Sequence, residues 1–146
     1  MYVRAVCSAI SPLETDVVAR TKALSQPAAN AVEAKKTLQG FLAAVEQDAS
    51  QAVARIRAAG TPDIDNGKSV ANEIVRTFTQ LRDAMRAASV KARTLPTDSA
   101  SSYKTAAQAL NASVHSSLSN IDSSGLSNPD IERAASKEPA CKSLSS

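Results

Sequence analysis

The sequence has no Trp, only two Phe and two Tyr, and aromatic residues make up 3% of it. That scarcity excludes a core built on large ring anchors and a surface that stacks nucleic-acid bases on aromatic faces. Glycine is reduced to four residues and β-branched residues are too sparse to line a sheet, which excludes a β-rich fold. With one His and two Cys, the chain cannot assemble a structural zinc set of cysteine and histidine ligands. Neither sign of charge dominates: 17 Lys and Arg stand against 14 Asp and Glu, a net charge of +3. Without a dense basic cluster or a reading motif, no nucleic-acid partner is expected. No apolar run approaches the roughly 20 residues that cross a bilayer, so no transmembrane segment is expected. The opening MYVRAVCSAIS carries Arg4 inside it and lacks the apolar stretch of a signal peptide. Bulky Val6 precedes Cys7 where a lipid-attachment site needs a small residue, so any export signal or lipid anchor is expected outside this sequence.

What is abundant is Ala and Ser, together about a third of the 146 residues. Ala is the best helix former, and small side chains let helices approach closely. The organising stretch is Asn66–Leu95, whose Ile74, Phe78, Leu81, Met85, Ala88, Ala92 and Leu95 alternate steps of four and three. Such spacing makes one narrow apolar stripe along a helix, and a stripe needs partners.

Three further stretches supply them. Tyr2–Leu24 carries Val3, Ile10, Leu13, Val17 and Leu24 in one phase across Pro12, predicting one helix kinked there rather than a turn into a second helix capped by Ser11, and Pro27 ends it. Ala28–Ala59 repeats the stepping at Leu38, Leu42, Val45, Ala49, Ala52, Ile56 and Ala59, with Gly60 as its C′ residue and Pro62 as a stop. After Pro96, a cap at Thr97 or Asp98 opens a helix striped by Tyr103, Ala107, Leu110, Val114, Leu118 and Ile121, which Ser123-Ser124-Gly125 ends. A short last helix starts at Asn128-Pro129 and stops at Pro139, and Ser143–Ser146 is expected to fray.

Four stripes with short connections predict an all-α, four-helix up-down-up-down bundle with a short C-terminal helix, one domain spanning 1–146. In that topology the chain finishes at the end where it began, which brings Cys7 and Cys141 together. Pairing them predicts a disulfide and an oxidising compartment; the alternative is two reduced cysteines in the cytosol.

The polar residues suggest little chemistry. A calcium loop started at Asp63 has Lys68 where its turn glycine belongs and Ile74 where its bidentate carboxylate belongs. His115 has no second ligand or helical acid neighbour, the sequon at Asn111 falls inside a helix, and nothing resembles a nucleophile elbow. No catalytic residue, cofactor or metal is expected, and the chain reads as non-enzymatic. Lys68, Arg82, Arg86 and Arg93 fall on one flank of the organising helix with no acid among them. A one-signed stripe faces an anionic envelope surface or a membrane-associated partner, unless acids of a neighbouring helix such as Glu46 or Asp48 neutralise it. A second reading is a small-molecule or lipid carrier, because an Ala-rich bundle can leave a cavity between its helices.

A long helix ending in Gly-Thr-Pro, then the seams LPTD (Leu95–Asp98), AAQAL (Ala106–Leu110) and EPACKSL (Glu138–Leu144), resemble actinobacterial small secreted proteins and lipoproteins of unknown function. The resemblance implies an exported protein of the cell envelope that pairs an N-terminal with a C-terminal cysteine, here Cys7 and Cys141. It implies no reaction. Read together, these features predict an extracytoplasmic interaction or accessory module.

Overall fold

The computed structural model describes residues 2–121 and 124–142, apart from the side chain of Ser25. Its helices are α1 (Tyr2–Ser25), α2 (Ala31–Ala58), α3 (Gly67–Ala92), α4 (Ala100–Ser119), α5 (Pro129–Lys137) and the single turn α6 (Pro139–Lys142). The four long helices run up-down-up-down, and the fold is all-α. Pro12 is accommodated inside a continuous α1 rather than opening a second helix. Proline deprives the Ser8 carbonyl of its helical donor, but Ser8 and Pro12 both lie on the solvent side, where water can replace it.

Caps set the other boundaries. Helix α2 starts at Ala31 rather than Ala28, because the Asn30 side chain accepts a hydrogen bond from the Glu33 amide at 2.9 Å. Helix α4 is capped by Ser99, which accepts from the Ser102 amide at 3.0 Å, rather than by Thr97 or Asp98. It stops at Ser119, so Ile121 lies beyond it. Asn128 caps α5 as expected, accepting from the amides of Asp130 and Ile131, with Pro129 in the first turn. Gly60 follows α2 with φ +82°, the left-handed C′ position that glycine adopts without strain. The region around Ser143–Ser146, where fraying was expected, lies outside the described residues, as does Ser123.

The core is centred on α2 and α3. Leu42, Val45, Ala52, Val53 and Ile56 meet Val70, Ile74, Phe78, Met85, Ala88 and Ala92 in one cluster of buried side chains around this pair. Complete burial of Ala49, Ala52 and Ala92 shows why alanine replaces larger residues: a methyl group permits close helix approach. Helix α1 packs along α2, while α4 packs on α3. Helices α1 and α4 are not in extensive contact, so the bundle is open along that side.

That opening corrects two stripes. On α1 the buried face runs through Tyr2, Val6, Ala9 and Leu13, whereas Val3, Ile10 and Val17 are half-buried and Leu24 is exposed. On α4 only Leu110 is buried, and Leu118 is 39% exposed.

Candidate functional site

The chain ends meet at one end of the bundle. Cys7 on α1 is bonded to Cys141 on α6, with Cα atoms 5.1 Å apart across a sequence separation of 134. Beside the disulfide, Arg4 Nε donates to Glu138 Oε1 at 3.1 Å, and this bond holds the Glu138 carboxyl below the usual range. These links tie α5 and α6 to α1. On the other side Gly125 lies against α3 so closely that an added Cβ would sit 2.9 Å from Glu73 Cβ and 3.0 Å from Ile74 Cγ1. Glycine here is a matter of space.

Between α1, α3 and α5 this arrangement leaves a half-open cavity of about 240 Å3. Val3, Val6 and Ile10 of α1, Ile74 of α3 and Ile131 of α5 form much of its wall. Its one charged lining residue, Glu132, is exposed, and the lining itself is almost wholly apolar. Tyr2 also lines it, and the Tyr2 hydroxyl is buried without a hydrogen-bond partner among the described residues. Burial raises the pKa of that hydroxyl, so it remains a neutral donor and acceptor.

No sequence signal marked this site as a unit. Its walls come from residues 2–10, Ile74 and residues 126–135, and each segment reads singly as ordinary core. The cysteines were the available clue, because they place the C-terminal helix over the start of α1.

The basic flank of α3 is partly neutralised. Arg86 Nε donates to Glu46 Oε1 of α2 at 2.9 Å, raising the arginine pKa further. Arg82 donates through Nε and Nη2 to Asp83 Oδ1, both at 3.1 Å. Asp83 projects from another flank, but the long guanidinium arm reaches back to it. Lys68 and Arg93 remain exposed near opposite ends of α3, roughly 38 Å apart at 1.5 Å per residue. Lys35 joins Arg93 at one end, its Nζ donating to the carbonyls of Arg93 at 3.0 Å and Leu95 at 2.9 Å.

Asp48 does not serve this flank. It pairs with Asp16 of α1, which also accepts from Arg20 Nε at 3.0 Å. Burial first, then the Asp16 carboxyl beside it, push the Asp48 pKa up to about 6; the same hydrogen bond, with Arg20, lowers that of Asp16. When Asp48 is ionised its buried Oδ2 lacks a donor, and a proton shared by the two carboxyls supplies one. The folded chain thus holds a proton that the unfolded chain releases near pH 4. Stability from Asp48 is complete below that pH and is lost as pH rises through about 6. After allowance for solvent screening, melts at pH 7.5 should lie about 2–4 °C below those at pH 5, and Asp48→Asn should flatten the difference.

The remaining candidates are surface features. His115 and Asn111 are exposed on α4, and residues 61–66 form the turn that leads into α3. Among the described residues no group of three or more His, Cys, Asp or Glu is placed to hold a metal ion, and no helix is long and apolar enough to cross a membrane. The chain matches no family model, no curated protein and no solved structure.

Proposed function

We propose that this chain is a non-enzymatic, extracytoplasmic binding domain that holds a small apolar molecule in the cavity at its disulfide end. The observation that carries this reading is the cavity, walled almost wholly by hydrocarbon and covered by a helix that a disulfide anchors. An apolar cavity disfavours water and favours hydrocarbon. The disulfide supports an oxidising compartment, and the resemblance at LPTD and EPACKSL supports the cell envelope of an actinobacterium. An organic extract of the oxidised protein, purified from its native envelope and analysed by mass spectrometry, should contain close to one equivalent of an apolar compound. Protein recovered empty, with no compound acquired from an envelope extract, would leave a scaffold as the better reading.

The exposure of Lys68 and Arg93 favours a second reading, docking onto a membrane-associated protein or an anionic envelope surface. Surface ion pairs are weak, so Arg82 and Arg86 can exchange Asp83 and Glu46 for an anionic partner. Charge reversal of both arginines, Arg82→Glu with Arg86→Glu, should leave the helical content and melt nearly unchanged. It should also weaken a salt-sensitive pull-down from envelope membranes. Unchanged recovery at the same salt would reduce the stripe to a solvated face.

A further inference from the structure

The size and the wall of the cavity narrow the class of compound it takes. Benzene with its six carbons fills an engineered cavity of roughly 150 Å3, so about 240 Å3 corresponds to roughly ten heavy atoms. Val3, Val6, Ile10, Ile74 and Ile131 offer those atoms hydrocarbon contact, and the lining is almost wholly apolar. A hydroxyl, amine or carboxylate drawn in among these side chains would lose its water without gaining a hydrogen-bond partner from them.

The cavity is also half-open. A compound apolar throughout would leave part of its surface against water there, whereas an amphiphile turns its polar end outward. The charged groups at this end of the molecule carry both signs: Arg4 donates to Glu138 at 3.1 Å, and Arg133 to Asp130 at 3.0 Å. A head in solvent beside such mixed charge meets little net attraction or repulsion, because water and salt screen exposed charges.

Resting on the cavity reading above, we propose that the site holds the tail end of an amphiphile and selects it by chain length, whatever the charge of the head. About ten heavy atoms of the tail are recognised by burial, and the head stays in water. Ala135 of α5 lines the cavity, so a larger side chain there takes up space that the tail uses.

Titration of the oxidised full chain with the 1-alkanols from butanol to dodecanol, followed by calorimetry and by the methyl signals of Ile74 and Ile131, tests this. Affinity should rise about fourfold with each added methylene. It should level off at about ten carbons, with less than about twofold gained from there to dodecanol. At pH 7 and about 0.15 M salt, 1-octylamine, 1-octanol and octanoate should bind within about threefold of one another. Ala135→Leu, which extends the wall into the space, should move the levelling down to about seven carbons. Affinity that still climbs steeply beyond decanol, or a preference of about tenfold among the three octyl compounds, would overturn selection by length and leave the cavity reading standing. If no member of either series perturbs Ile74 or Ile131, both fall together.

Discussion

Replacing both cysteines, Cys7→Ser with Cys141→Ser, is expected to lower stability by about 5 kcal/mol in the chain-entropy model. The bond closes a loop across a sequence separation of 134, nearly the whole chain, so its loss returns great freedom to the unfolded state. Domains of this kind are stable by only about 5–15 kcal/mol in total, which leaves the variant marginal. The loss should also be uneven. Ile131 is the one buried side chain of α5, and Cys141 that of α6, so little besides the disulfide holds this segment to α1. Hydrogen exchange should show residues 129–142 unprotected while α2 and α3 remain slow. Equal protection of α5 in the oxidised and double-serine proteins would contradict the anchoring role given to the bond.

Ile74→Ala is expected to reduce stability by about 4 kcal/mol, in the upper part of the range for such truncations. Ile74 has no exposed surface, yet it stands between the core of α2 and α3 and the cavity behind α5. Truncation therefore enlarges an existing void, and Gly125 already lies against the α3 backbone on that side, which limits collapse. Ile74→Val should cost about 1 kcal/mol by the same reasoning. Adding benzene should raise the melting temperature of the alanine variant more than that of the unaltered chain, because the enlarged space binds it. Urea titrations of the three proteins give the first comparison, and thermal melts with and without benzene give the second.

The fold was legible in the sequence where a helix is packed along its length. The stripes of α2 and α3 largely match their buried faces, with Leu38 and Leu81 half-buried at the margins, because each helix has neighbours along most of its stripe. For α1 and α4 the pattern continues to Leu24 and Leu118, but these side chains are exposed. Periodicity states which face is apolar; it does not state whether another helix covers that face. Up-down topology located the disulfide, since it needs only direction reversals. The cavity was not legible, because its size is the space left between Val6, Ile74 and Ile131, residues with no local relation. The pairing of Arg86 with Glu46 was foreseeable as one of two outcomes. The reach of Arg82 to Asp83 depends on a rotamer, which spacing along a helix does not contain.

The proposal that the apolar space beneath helix α5, held over α1 by the disulfide, can take up a ligand is tested most directly by xenon. Xenon is apolar, carries no head group and enters only dry, hydrocarbon-lined cavities. Crystals of the oxidised protein under xenon pressure should show a strong peak among Val6, Ile10, Ile74 and Ile131, beside Tyr2. No xenon there, with the space filled by ordered water or closed by side chains, would contradict it.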